Sequence, residues 1–173
     1  MKSLKESKVL AKNTQEHQKM IEINFDCDLN TKKQEIKESL KNSIDLILDI
    51  VEFKKKNFYI SIFLTNNDNI KKINLRFRKI DKVTNVLSFR QNEERIVRDS
   101  EKYLILGDIV ISLEKILSEA KEQNKNFADH LIHMLVHGLL HLLGYDHENE
   151  KDAEIMEKKE ILILSKLSIS NPY

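Results

Sequence analysis

The chain has 173 residues, of which 40% are hydrophobic and 33% charged, with a formal net charge of +1. That size suits one domain with its own core, and no apolar run approaches the ~18 residues a membrane helix needs. The polar start MKSLKESKVLAKNTQEHQKM lacks the apolar segment of a secretory signal. Cys27 is the only cysteine, so no intramolecular disulfide can form, and we expect a cytoplasmic protein.

In chain order, residues 1–18 are polar and weakly patterned and read as an extension; residues 19–170 read as a single domain. Residues 20–26 alternate apolar and polar, as a strand does. Residues 32–54 carry Ile36, Leu40, Ile44, Ile47, Leu48 and Val51 at helical spacing. A β-rich run, NFYISIFLT, occupies 57–65. A short amphipathic helix is predicted over 68–78, with Ile70, Ile73 and Phe77 inward. Strands follow at 84–90 and 104–111, then helices at about 112–124, 127–143 and 149–167. The alternation predicts an α/β or α+β domain built on a mixed sheet of about four strands.

Charge is unevenly spread. Residues 71–98 hold nine basic side chains against three acidic ones, whereas residues 148–160 hold six acids against three lysines. The basic stretch suits a phosphate footprint, or simply a solvated face in a lysine-rich chain.

Five of the six histidines fall between 130 and 147, and three have the spacing His137-x3-His141-x5-His147. Residues i and i+4 stand one above the other on a helix, so His137 and His141 can aim at one ion. Gly144 can end the helix in a left-handed conformation, and the turn can bring His147 back as a third ligand. Three histidines suit zinc and leave a fourth position for water, as catalytic rather than structural sites do. Water on such an ion can reach a pKa near ~7, which favours hydrolytic chemistry. We therefore expect one zinc ion per chain on His137, His141 and His147.

The helix over 127–143 is apolar nearly all round and should be buried. His133 lies on nearly the same face as the pair and is a candidate for substrate contact or proton shuttling; the alternative is a supporting or packing histidine. His130 reads as ordinary. Gly138 costs ~1 kcal/mol relative to alanine in mid-helix, which invites a reason: a side chain there would block the open face of the ion, or the helix packs closely against a neighbour. Gly107 reads as a backbone-packing glycine.

The histidine spacing with Gly144 resembles the metzincin zinc motif, but Gly138 stands where that motif has its glutamate general base. That argues against peptide hydrolysis by the same route. The full run from His137 to His147, HGLLHLLGYDH, resembles the signature of the YbeY family of endoribonucleases. Residues 73–89, INLRFRKIDKVTNVLSF, and 106–112, LGDIVIS, resemble further segments of that family in the same order, covering about residues 57–160. Arg90 and Val83 stand where the family often has proline, and Phe77 replaces a usual tyrosine.

The resemblance implies a zincin-like α+β domain, single-stranded RNA as substrate, and work on ribosomal RNA maturation and ribosome quality control with the small ribosomal subunit as partner. It also implies that Arg78 is catalytic, since an arginine fork can hold phosphate and stabilise developing charge. The nucleophile stays open between water and the ribose 2′-hydroxyl. Two other readings are a metalloprotease-like hydrolase and a non-catalytic, zinc-containing ribosome-assembly factor.

Overall fold

The computed structural model describes residues 18–27, 32–53, 57–98 and 101–173. Nine elements follow in order: β1 (Lys19–Phe25), α1 (Lys33–Ile50), β2 (Phe58–Thr65), α2 (Asn67–Arg78), β3 (Val86–Arg98), β4 (Glu101–Ser112), α3 (Leu113–Glu122), α4 (Phe127–Leu143) and α5 (Glu150–Lys166). The sheet has the order β1-β2-β4-β3. β1 and β4 run parallel to β2, and β3 is the antiparallel edge strand beside β4. This is the mixed four-stranded α+β domain that the alternation of strand and helix patterns predicts.

Side-chain alternation sorts the two faces of the sheet. Phe58, Ile60, Ile62 and Leu64 of β2, with Ile109 and Ile111 of β4, join the large core formed with α1, α3, α4 and α5. Val110 and Leu87 point the other way and meet Ile70 of α2. Among the described residues the second face is thus covered by one short helix over a small apolar patch. α4 runs against β3 and β4 on the first face and also touches α1, α3 and α5. It is buried along most of its length, including Leu131, Leu135, Leu139 and Leu142, so its polar side chains occupy an apolar setting with fixed partners.

The structure departs from the sequence expectations at two places. Phe77 is not inward: Ile70 is fully buried, but the Phe77 ring is 59% exposed and leans on Phe89 at 5.3 Å between ring centroids. The apolar patch under α2 is too small to cover its last turn, which ends at Lys79 in the left-handed region (φ 64°). Secondly, β3 extends well past residue 90. Its outer half, QNEERIVR, carries charge on both faces and shows no period of two. It is a strand because it pairs with Tyr103, Leu104 and Ile105 beyond an irregularity at Arg90–Glu93, where Asn92 takes a positive φ of 57°.

At the other end, the Gln18 N–H donates to the Asn57 side chain at 3.2 Å, and the Tyr103 hydroxyl donates to the Gln18 side chain. Gln18 therefore belongs to the folded unit. The remainder of the expected extension, residues 1–17, lies outside the described residues.

Candidate metal centre

α4 begins at Asn126, whose side-chain oxygen accepts from the Ala128 and Asp129 N–H groups. It ends at Gly144, in the left-handed conformation with φ 98°. The Gly144 and Tyr145 N–H groups return to the His141 and Leu140 carbonyls. This stop lies between the second and third histidines and turns His147 back toward the helix. Ring centroids of His137, His141 and His147 lie 4.7–5.4 Å apart. Among the described residues these three offer ligand atoms that all lie within 4.8 Å of one another.

The imidazoles are oriented from behind. His141 Nδ1–H donates to the Tyr145 carbonyl at 3.1 Å, and His137 Nδ1–H donates to Glu160 Oε1 at 2.8 Å. Both bonds leave Nε2 as the free nitrogen, and the two Nε2 atoms stand 3.2 Å apart. Tetrahedral zinc with Zn–N bonds of 2.0–2.1 Å would place two ligand nitrogens about 3.3 Å apart. Two acceptor nitrogens at that separation call for a cation or a shared proton between them. Burial holds the His141 pKa below its ordinary value, and the neighbouring His137 and His147 lower it further. A protonated His141 is thus disfavoured, and the donor set fits a metal ion.

Glu160 belongs to none of the sequence motifs. It is 1% exposed, on α5 behind the ligands. Its carboxylate accepts from His137, from His133 Nε2–H at 3.2 Å, and from the Tyr173 hydroxyl. Burial pushes its carboxyl pKa up, but these three donors outweigh burial and bring it down to about 2. An ionised Glu160 is acceptor-only, which fixes His137 in the tautomer that leaves Nε2 free to bind an ion. Burial, and then the same carboxylate, raise the Tyr173 hydroxyl well above its usual range. The signal for Glu160 is present in the sequence: Met156, Glu160, Ile163 and Leu164 share one helical stripe, and a carboxylate in an apolar stripe needs partners.

His133 stands behind His137 rather than at the surface. It is 8% exposed, shares Glu160, and meets the Tyr173 ring edge-on at 6.0 Å between centroids. Its Nδ1 has no hydrogen-bond partner among the described residues. His130 is held by Glu119 at 2.8 Å, in keeping with an ordinary buried histidine.

Gly138 has a packing reason. A Cβ there would stand 3.0 Å from Ser88 Oγ and 3.1 Å from Ile109 Cγ2. It would therefore press on β3 and β4, and of the two explanations the sequence allows, close packing holds. At Gly107 (φ 133°) a Cβ would collide with the Phe89 carbonyl oxygen at 2.1 Å, which bears out backbone packing there.

Arg78 lies exposed in the last turn of α2. Its Nη2 donates to the Ser88 carbonyl of β3 at 3.2 Å, and the Ser88 hydroxyl faces Gly138, next to His137. The edge strand therefore links the arginine to the ligand helix.

Known proteins share this arrangement of sequence and fold. The family model described as Endoribonuclease YbeY matches residues 15–168. An Endoribonuclease YbeY of Francisella tularensis subsp. tularensis strain SCHU S4 is 43% identical over 136 residues, covering 76% of this chain and 81% of that protein. The Endoribonuclease YbeY of Francisella tularensis subsp. novicida strain U112 is also 43% identical, with 76% and 84% covered. A Thermotoga maritima protein solved in solution superimposes with a TM-score of 0.54 at 27% identity, over 86% of this chain and 92% of its own. The histidine signature, the order of its flanking segments and the helix-on-sheet architecture thus converge, and the chain belongs to the YbeY endoribonuclease family.

Proposed function

We propose that this protein is a zinc-dependent endoribonuclease that cuts single-stranded RNA during ribosomal RNA maturation, in the cytoplasm, on or near the small ribosomal subunit. The observation that carries the reading is the trio of His137, His141 and His147, with two Nε2 atoms at a spacing suited to one zinc ion. Membership in a family whose relatives are named endoribonucleases supports the substrate. No helix among the described residues is long and apolar enough to cross a membrane.

When bound, the ion would supply Lewis acidity to a phosphate oxygen or to the attacking hydroxyl. The chain's own residues would do the rest. Glu160 holds His137 in its ligating tautomer and Tyr145 does the same for His141, while His133 and Tyr173 hold Glu160. On this reading His133 is a positioning residue and does not contact substrate. Arg78 would bind the phosphate that is cut: its guanidinium is exposed, and one bond to Ser88 leaves further donors available. The exposed Phe77 ring beside it, with the Arg76 guanidinium 5.2 Å from its centroid, forms an aromatic and cationic surface against which an unpaired base can stack.

The test couples metal analysis to cleavage of a single-stranded oligoribonucleotide, with a peptide substrate alongside. RNA cleavage that follows zinc content supports the proposal. Peptide cleavage without RNA cleavage would favour a protease-like hydrolase; neither, with zinc retained, would favour an assembly factor.

A further inference from the structure

Arg90 occupies a position where the family resemblance expects proline, and the fold gives this substitution a place beside the metal centre. Ser88 and Arg90 are two residues apart on β3 and so share one face of the strand. Ser88 meets α4 at Gly138, and Arg90 meets it six residues later, at Gly144. A Cβ built on Gly144 would stand 3.1, 3.2 and 3.2 Å from Arg90 Nη1, Cζ and Nη2. In the plane of a guanidinium, no point that far out is equally distant from these three atoms. The point therefore lies above the plane, and the guanidinium rests face-on over Gly144.

Stacking in this way leaves every N–H donor at the rim of the fork. The Arg90 side chain is exposed, and its guanidinium has no hydrogen-bond or carboxylate partner among the described residues. It lies over the turn between the second and third histidine ligands, the turn whose Tyr145 carbonyl orients His141. The C-terminal end of α4 attracts a positive charge there, but that attraction uses none of the donors. A cation next to a site built for another cation is stabilised best by an anion that joins the two.

We infer that Arg90 is a second phosphate-binding residue of this centre, gripping a backbone phosphate of the RNA next to the one held by Arg78. The inference rests on the endoribonuclease reading above. Two arginines, from α2 and from β3, would then fix two successive phosphates along the edge strand and set the register of the strand over the ion. The free donors of a planar fork suit bidentate contact with a phosphate.

The experiment compares wild type with Arg90→Ala, Arg90→Lys and Arg90→Pro. It measures zinc content, melting temperature, and binding of a fluorescent single-stranded oligoribonucleotide at several salt concentrations, on a time short against cleavage. Arg90→Ala should keep its zinc, weaken binding about tenfold, the order expected for a charge-assisted contact, and lower the salt slope by ~0.7, the share of one phosphate on a single strand. Arg90→Lys should restore the slope but only part of the affinity. Arg90→Pro should bind like Arg90→Ala. If wild type cleaves RNA and Arg90→Ala binds with the same affinity and slope, the inference is overturned while the endoribonuclease reading stands. A melting temperature that falls in Arg90→Ala with binding unchanged would likewise overturn it and assign Arg90 to capping α4. If wild type loaded with zinc neither binds nor cleaves RNA, the reading beneath the inference fails as well.

Discussion

Replacing Glu160 with glutamine probes the support behind the ligands. The carboxylate is 1% exposed and accepts three hydrogen bonds, from His137 at 2.8 Å, His133 at 3.2 Å and Tyr173. Glutamine keeps the volume but has one oxygen. If that oxygen stays with His137, the amide NH2 faces the His133 N–H and the Tyr173 O–H, donor against donor. One or two charge-assisted bonds are lost, each about 1.5–3 kcal/mol. Allowing that His133 can switch tautomer and recover part, we expect the metal-free protein to lose about 2–4 kcal/mol. For a domain of this size 1 kcal/mol moves Tm by about 2–4 °C, so the melting point should fall by roughly 5–15 °C. Zinc affinity should fall by about 10–100-fold, the usual scale for a partner that orients a ligating histidine.

The acid limb gives a second check. The folded pKa of about 2 lies below the ordinary 4.5. Glu160 therefore contributes stability that is fully present above 4.5 and is lost as pH falls from there toward 2. Thermal melts of the metal-free protein between pH 5 and pH 2.5 should show a shallower decline for Glu160→Gln than for wild type. Equal melting points, equal zinc affinity and parallel acid limbs would show that the carboxylate does not orient His137.

Other perturbations separate the remaining roles. Gly138→Ala should retain zinc in full, because the added Cβ meets Ser88 and Ile109; overpacking of about 1–3 kcal/mol, offset by ~1 kcal/mol of helix propensity, should leave a loss of up to about 2 kcal/mol in a denaturant titration. Loss of zinc in a folded Gly138→Ala protein would restore the idea that this glycine keeps the ion's face open. Arg78→Ala should fold and keep its zinc but cleave RNA at least ~10²-fold more slowly, with Arg78→Lys recovering only part; wild-type cleavage by Arg78→Ala would return Arg78 to a surface role. Phe77→Ser should change stability by less than about 1 kcal/mol, since the ring is 59% exposed, yet weaken RNA binding by ~1 kcal/mol or more, as loss of a stacking face does. A large stability loss with normal binding would make the ring part of the core after all.

Much of this centre can be read from the chain because its parts are local. His137, His141, Gly144 and His147 lie within eleven residues, so helical periodicity and one glycine stop determine how they can meet. The inner strands and all five helices are legible for the same reason: their burial produces a period. The outer half of β3 has no such period, since residues 91–95 are exposed on both faces, and only pairing with β4 makes it a strand. Phe77 misleads because a helical stripe says which side is apolar but not where the surface beneath it ends. Glu160 and Tyr173 lie 23 and 36 residues beyond His137. Their convergence depends on α5 crossing behind α4 and on the C-terminal residues returning to it, which no local pattern encodes. Arg90 is visible in the sequence only as a departure from proline; its meaning comes from Gly144, on a different element.

The most direct test of the whole account is zinc per chain measured together with RNA cleavage in wild type and in His137→Ala, His141→Ala and His147→Ala. A catalytic zinc held by these three histidines gives about one zinc per wild-type chain, loss of most of it in each variant, and loss of oligoribonucleotide cleavage in step with the metal. Full zinc retention by all three variants would remove the histidines as ligands, and unchanged cleavage by variants stripped of zinc would remove the metal from the reaction.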